Sequence, residues 1–184
     1  AGLPDTAEPA WVSDVLDVGF RKLGARHWFS RSAEVDAGIR ERFLALYEQL
    51  VASDAAGITG ARPLRAAVIV LDQFSRNMFR DSPRAFAADP LARRLARQII
   101  EQGFDSGLAG EERLFVYLPF EHSEDRDDQA LSCELIGRLG NDDWTQYALA
   151  HQAIIDRFGR FPHRNAALGR TSTAEEIARL AEPM

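Results

Sequence analysis

Hydrophobic residues recur every three or four positions along most of the chain, with charged and polar residues between them. In residues 36–52 the stripe of Ile39, Phe43, Leu46 and Leu50 has spacings of four, three and four, which is typical of one face of an amphipathic helix. Alternation with a period of two, which would indicate strands, is absent. The pattern therefore predicts an all-α protein. The same helical spacing recurs in three later segments, residues 89–103, 128–140 and 142–159.

Local signals mark where the predicted helices begin and end. Asp89, followed by a proline, is typical of a helix start, and "TAEE" at Thr173–Glu176 is a capping box. Gly159 is typical of a residue just past a helix end. Pro119 indicates the end of one helix, and Ser123 is the expected cap of the next.

The connections between the predicted helices are short, and no linker rich in Pro, Gly or Ser divides the chain. Short connections favour antiparallel neighbours, and 184 residues are enough to bury one hydrophobic core. We therefore expect residues 1–184 to form a single domain of antiparallel helical hairpins.

The net charge of −6 narrows the classes of partner. Proteins that bind nucleic acids or anionic membranes rely on cationic surfaces, so neither partner is expected. The sequence has no dinucleotide fingerprint, no phosphate-binding glycine loop and no G-x-S-x-G motif, so no cofactor is predicted.

The cysteine content and the N-terminal stretch bear on the compartment. Cys133 is the single cysteine, which excludes an internal disulfide and suits a reducing cytoplasm. Residues 1–11 lack the basic start and apolar segment of a signal peptide, and the longest apolar run, residues 66–71, is too short to span a bilayer. We expect a cytoplasmic protein.

Three segments carry residues with chemical potential, and the first is "LDQFSRNMFR", residues 71–80. Asp72 and Arg76 are four positions apart with the acid first, which favours a helical ion pair. Gln73 and Asn77 have the same spacing beside them. Two interpretations remain open, an internal ion pair with amide hydrogen bonds or the wall of a pocket.

The second segment, "YLPFEHSEDRDD" at residues 117–128, holds His122 between Glu121 and Glu124 at a predicted helix break. A histidine between two carboxylates can serve as an acid, a base or a ligand. The other acids, Glu124 and Asp125, have a purely structural interpretation, because acidic residues stabilise the first turn of a helix.

The third segment is "RFGRFPHRN", residues 157–165, which has no acidic residue. Arg160, His163, Arg164 and Asn165 follow or flank a predicted helix end, where free N–H groups and guanidiniums favour an anion. Alternatively, these arginines only neutralise the acids of residues 121–128. The acids near in space are too few for every arginine, so at least one guanidinium should lack a protein partner.

His151 lies on the predicted inward stripe of residues 142–159, where a single histidine is usually a hydrogen-bonded core residue. A metal site formed by His122, His151, His163 and a carboxylate is an alternative. However, the chain has neither an H-E-x-x-H motif nor a Glu-x-x-His pair, so no metal is predicted.

Together, "LDQFSRN", "LFVYLPFEHSED" and "FGRFPHRNAALGR" resemble the bacterial domain of unknown function 924 family. The resemblance runs through "SPRAFAADPLAR" and covers the chain from about Trp11 to Leu180. It implies a tetratricopeptide-like stack of helical hairpins and no particular activity. The chain departs from the family pattern at Asp17–Phe20, and at Glu121, where members often have an apolar residue.

These segments lead to two hypotheses of different classes. The first is one polar pocket that binds a small anionic molecule through its arginines, with acid–base chemistry from a histidine if the protein is an enzyme. The second is a tetratricopeptide-like scaffold whose groove holds a peptide or protein partner without catalysis. The residues assigned to the pocket are Asp72, Gln73, Arg76, Asn77, His151, Arg160, Arg164 and Asn165, and the acid–base candidates are His122 with Glu124, or His163.

Overall fold

The computed structural model describes residues 8–22 and 32–182, which fold into helices joined by short turns, without a strand among them. The all-α prediction is therefore confirmed for this part of the chain. The first helices are α1 (Ala10–Asp17), α2 (Ala33–Ala52), α3 (Ala61–Val68), α4 (Ser75–Met78) and α5 (Arg84–Ala87). The later ones are α6 (Asp89–Glu101), α7 (Gly110–Glu121), α8 (Arg126–Gly137), α9 (Asp142–Phe158), α10 (Asn165–Leu168) and α11 (Ala174–Leu180).

The predicted domain of residues 1–184 includes short ranges outside the described residues, and most of the stretch used to exclude a signal peptide is among them. In the described ranges, no helix combines the length and the apolar character needed to cross a membrane.

The most apolar run of the chain forms the centre of the fold. Helix α3 passes through a π-helical segment, Ile69–Phe74, directly into α4, so residues 61–78 form one continuous helical rod. Its residues from Leu64 to Leu71 are almost entirely buried. Helices α1, α6 and α7 pack against this rod. Because a π turn holds one more residue than an α turn, the segment shifts the direction of the side chains that follow it.

The other half of the molecule is built outward from α7. Every residue of α7 from Leu114 to Glu121 is buried, and α8 packs against α7 on one side and α9 on the other. The chain ends α9 at Gly159, whose φ of +73° places it in the left-handed region that glycine tolerates. The prediction for Gly159 is confirmed, as is the capping box at Thr173 and Glu176.

Three predicted helix ends differ from the structure. Pro119 lies inside α7, which continues to Glu121, because close packing around this turn outweighs the hydrogen bond that proline cannot make. Helix α8 is capped by Asp125 rather than Ser123, whose hydroxyl donates to the Asp128 carboxylate instead. Asp89 makes no cap, because its carboxylate binds an arginine.

The predicted stripes of α8 and α9 are also displaced. In α8 the buried residues include Ser132 and Ile136, whereas the leucines at the predicted stripe positions, Leu131, Leu135 and Leu139, are only partly buried. In α9 only Ala148 and Ile155 are buried, and Tyr147 is 59% exposed. The face of α9 that carries His151 is therefore only partly covered, and it borders a cavity.

Candidate functional site

A cavity of about 640 Å³ lies where the ends of several helices meet. The turn after α4, helix α5, the second half of α7, the first half of α9 and the 3-10 turn Pro162–Arg164 form its walls. One wall is apolar and contains Phe86, Leu114, Leu118 and Trp144. The polar lining is formed by Arg76, Arg80, Asp81, Glu121, His122, Asp143, Tyr147, His151, His163 and Arg164.

A buried carboxylate supports one of the histidines of the cavity. Asp72, on the π segment, is 1% exposed, and its Oδ1 lies 2.8 Å from Nδ1 of His122. Burial alone would raise the pKa of Asp72, but the His122 ring and the Arg76 guanidinium outweigh it and lower that pKa. The ionised carboxylate orients the ring with Nδ1–H towards it, which leaves Nε2 for the cavity.

Arg76 contacts two carboxylates, those of Asp72 and Asp89, which lie on different helical segments. Its Nη1 and Nη2 donate to the two Asp89 oxygens at 2.9 and 3.0 Å, and Nη1 also reaches Asp72 Oδ1 at 3.4 Å. Burial would lower the pKa of Arg76, but these two carboxylates raise it. The predicted Asp72–Arg76 pair is therefore present, as the longer of the two carboxylate contacts that Arg76 makes.

Arg164 has fewer acceptors than its burial requires. It is 6% exposed, and its guanidinium carbon lies 4.5 Å from the ring centre of Phe86 and 4.7 Å from that of Phe161. Nη2 donates to the His122 carbonyl at 2.7 Å, while Asp89 is 3.9 Å from Nη1 and already occupied by Arg76. Its buried Nε has no acceptor among the described residues. Burial, followed by the charge of Arg76, lowers the pKa of Arg164 to about 10.

Glu121, the last residue of α7, is a carboxyl group without a counter-charge. It lines the cavity and is 5% exposed, and neither a hydrogen bond nor an ion pair reaches its side chain from the described residues. Burial and the nearby charge of Asp72 raise its pKa to about 8. The group is therefore a neutral carboxylic acid at pH 7.

Two more imidazoles border the cavity. His151 donates from Nδ1 to the Tyr147 carbonyl at 2.7 Å, and burial lowers the pKa of its ring to about 4. His163 is exposed at the cavity edge, and its ring centre lies 5.5 Å from that of Phe161. The His122 and His151 ring centres are 6.5 Å apart. No group of three or more His, Cys, Asp or Glu side chains in the described ranges is arranged to hold a metal ion.

The four candidates of the third segment divide between the cavity and contacts outside it. Arg160 lies outside the cavity because Glu176 engages it, with Nε and Nη2 donating to the two carboxylate oxygens at 2.9 and 2.7 Å. Asn165 is buried behind the wall and bonds to Ser172 and Arg170. Of this segment, Arg164 and His163 line the cavity.

Glu124 and two residues of the first segment also have structural partners. Glu124 accepts from the Phe161 N–H and from both terminal nitrogens of Arg170. These contacts connect the turn before α8 to residues 161–170. Asn77 donates to Asp36 at 2.9 Å, and Gln73 donates to Asp72 at 3.2 Å, so the expected Gln73–Asn77 pair is not formed. None of these side chains lines the cavity.

Asp89, Phe86 and Trp144 were not predicted as site residues, and Glu121 was considered only beside His122 and as a departure from the family pattern. Asp89 looked like a helix cap, and the two aromatic residues looked like ordinary core. One signal for Glu121 was available, because it follows a run of apolar residues on a buried helix.

The fold and the cavity define an all-helical protein with a partly apolar chamber lined by arginines and histidines. The chain belongs to the family described as bacterial protein of unknown function (DUF924), whose model matches residues 10–184. It is also similar to the solved structure of a protein of unknown function, ATU0120, from Agrobacterium tumefaciens. The two chains are 38% identical with a TM-score of 0.88, over 95% of this chain and 98% of the other. No curated protein matches.

Proposed function

We propose that the cavity binds a small organic anion that has both a carboxylate or phosphate group and an apolar part. The observation that carries this proposal is Arg164, a buried guanidinium that lines the cavity and whose nearest carboxylate, Asp89 at 3.9 Å, is shared with Arg76. An uncompensated buried cation costs several kcal/mol, roughly, so an anion that completes its hydrogen bonds is strongly favoured. The lowered pKa of Arg164 reflects the same shortage of negative charge.

The shape and lining of the cavity support an organic ligand rather than a bare inorganic ion. Its volume of about 640 Å³ suits a small molecule, which typically binds in an apolar cleft with a few oriented polar groups. Phe86 contributes its ring both to this wall and to the face of the Arg164 guanidinium. A ligand anchored by its anionic group at Arg164 would therefore lay its apolar part towards Trp144 and Leu118.

The pair of Asp72 and His122 supports an acid–base role for the same cavity. A buried carboxylate that orients an imidazole by a 2.8 Å hydrogen bond is the arrangement that general bases use. Such a pair is costly to bury. We therefore infer that His122 exchanges a proton with the bound molecule.

The competing function is a tetratricopeptide-like scaffold that binds a peptide in a groove. The half-exposed face of α9, with Tyr147 at 59% and Leu149 at 44% exposure, favours this alternative. The two functions differ in ligand size, because a scaffold would bind a peptide and would be indifferent to the charge of Arg164. The weak pairing of the buried Arg164, whose nearest carboxylate is shared with Arg76, favours the small anion.

The experiment compares the binding of phenylpyruvate, an aromatic 2-oxo acid, by the wild type and two arginine variants. We expect saturable binding by calorimetry, and a stabilisation of about 2.7 kcal/mol at one hundred times the dissociation constant. Arg164→Gln should abolish it. Arg160→Gln is the matched control from the same segment, residues 157–165. This variant should retain binding, because Arg160 bonds Glu176 outside the cavity. Equal loss in both variants, or no binding by the wild type, would refute the proposal.

A further inference from the structure

We propose that Glu121 is the proton donor of the cavity and works with His122 as an acid–base pair that can enolise a bound anion with a carbonyl group, for which a 2-oxo acid is the probe. This inference rests on the proposed function, because the anion must first be anchored at Arg164. Glu121 and His122 are consecutive residues at the end of α7, and both line the cavity.

The position of Glu121 favours the neutral acid for three independent reasons. The group is buried, and no hydrogen bond or ion pair reaches it from the described residues. Leu118 and Leu114, three and seven residues earlier on the same helix, line the same cavity and offer this carboxyl no polar partner. In addition, Glu121 is the last residue of α7, where the negative end of the helix dipole disfavours a carboxylate.

The charged groups around Glu121 also oppose its ionisation. Asp72 approaches from the π segment, and its negative charge raises the pKa of Glu121. Cys133, from α8, is close enough for a Glu121 charge to raise the pKa of its thiol. Across the cavity stand His151 and Arg164, and neither offsets the effect of Asp72 on the pKa of Glu121.

His122 supplies the opposite half of the pair. Its Nδ1 is held by Asp72, so Nε2 is the nitrogen that can accept a proton from a molecule in the cavity. The lining contains no serine, threonine, cysteine or lysine in the described part of the chain, so it offers none of the commonest covalent nucleophiles. Proton transfer is therefore the chemistry that this lining supports most directly.

The reaction balances without a further reactant. Nε2 of His122 removes a proton from the carbon next to the carbonyl, and the electrons of that C–H bond form the carbon–carbon double bond. The carbonyl electrons move to its oxygen, which takes the proton from Glu121 and gives the enol, whose carboxylate keeps its charge. Glu121 is left as a carboxylate and His122 as an imidazolium, which Asp72 stabilises. The reverse transfers return the 2-oxo acid and both groups to their starting states.

The first experiment determines the protonation state of Glu121 and needs no ligand. We expect the infrared spectrum of the wild type at pH 7 to contain the carbonyl stretch of a protonated carboxylic acid, which Glu121→Gln removes. Glu111→Gln, which changes an exposed acid at the other end of α7, should leave this band in place. Absence of the band from the wild type at pH 7 would overturn the proposal.

The second experiment measures exchange of the methylene protons of phenylpyruvate in deuterated water by proton NMR. We expect the wild type to accelerate exchange over buffer, and Glu121→Gln to lower the rate roughly a hundredfold while its affinity for phenylpyruvate is retained. His122→Gln should have a similar effect, and Glu111→Gln should match the wild type.

The two proposals fail in distinguishable ways. Binding of phenylpyruvate without accelerated exchange would overturn the enolisation and leave the anion site standing. Exchange that survives Glu121→Gln would remove Glu121 from the mechanism while His122 remains the base. No binding of phenylpyruvate by calorimetry would refute the anion site, and the enolisation would fall with it.

Discussion

The arginines of residues 157–170 are chemically identical, and their roles differ only through the acid that each one meets. Arg160 meets Glu176, and Arg170 meets Glu124. Arg157 pairs with Glu175 at the surface. Arg164 reaches only Asp89, at 3.9 Å from Nη1, and shares that carboxylate with Arg76. Each of the four arginines therefore has an acid nearby, and the predicted guanidinium without a protein partner is not found. Arg164 has the longest of these ion pairs, which is why it is the binding residue in our proposal.

At the same scale, Glu124 is predicted to contribute to stability and not to ligand binding. Its carboxylate accepts from the Phe161 N–H at 2.5 Å and from both terminal nitrogens of Arg170. Glu124→Ala should therefore lower the free energy of unfolding by roughly 2–3 kcal/mol, because a buried N–H and a guanidinium lose their acceptor. Urea denaturation measures this change.

The control for that prediction is Glu134→Ala, which removes an acid paired with Arg138 on the exposed surface of α8. An exposed pair of this kind contributes about 0.5 kcal/mol or less. If the two variants cost the same, the contacts of Glu124 carry no special weight. A loss of phenylpyruvate binding in Glu124→Ala, with the fold intact, would place Glu124 in the site after all.

Residue chemistry was predictable from sequence only where the partners are close in the chain. The Asp72–Arg76 contact follows from a spacing of four residues. The contact of Asp72 with His122 joins residues 50 positions apart, and that of Arg76 with Asp89 joins residues 13 apart. Nothing in the spacing distinguishes Glu121 from Glu124 either; Glu121 is buried near Asp72, whereas Glu124 meets Arg170 and the Phe161 N–H.

At the scale of elements, helix ends were predictable when the cap is made by the local backbone. Gly159 and the Thr173 box satisfy backbone groups a few residues away, so the local sequence determines them. The helix start at Asp89 was predicted correctly, but the cap expected from its side chain is absent, and the positions expected at Pro119 and Ser123 were wrong, because tertiary packing or a distant partner outweighed the local preference. The π segment had no sequence signal, yet it carries Asp72 at the point where His122 meets it.

The left-handed end of α9 gives a prediction for an element. Gly159→Ala should destabilise the protein by about 1 kcal/mol, because alanine disfavours a φ of +73° while open space surrounds the added Cβ. Gly38→Ala is the matched control in the exposed middle of α2, again with open space around the Cβ. It should stabilise by roughly 0.5–1 kcal/mol, because alanine favours the helix. Thermal unfolding with opposite shifts in Tm would agree; shifts of the same sign would not.

At the scale of the whole molecule, the cavity exists because elements from distant parts of the chain end in the same place. The sequence indicated all three segments correctly as sites of polar clustering. It could not indicate the apolar wall, because Phe86 and Trp144 differ from core aromatics only in what lies opposite them. The inward stripe predicted for α9 was wrong for the same reason. Which faces of this helix are covered depends on the neighbouring helices and not on the periodicity of its own sequence.

The buried groups of this cavity should also control how the stability of the whole protein depends on pH. On the acid side the relevant group is His151, whose pKa is lowered from 6.5 to about 4 in the folded protein. The contribution of neutral His151 to the free energy of unfolding is present above pH 6.5 and is lost as the pH falls to about 4. The reason is that the unfolded chain binds the proton at a higher pH than the folded protein does. His151→Asn should flatten this loss by about 2 kcal/mol after allowance for partial exposure.

On the alkaline side the sign is reversed, because the folded protein raises the pKa of Glu121 from 4.5 to about 8. The folded protein keeps a proton that the unfolded chain has lost, so this contribution is complete below pH 4.5 and disappears as the pH rises through 8. The difference corresponds to roughly 4–5 kcal/mol, and Glu121→Gln should remove it and make the variant relatively more stable above pH 8. Urea denaturation of both proteins from pH 5 to 9 measures the change, with Glu111→Gln as the control that keeps the wild-type slope. A wild-type alkaline slope that persists in Glu121→Gln would show that this carboxyl is ionised in the folded protein, against the arrangement of charges around it.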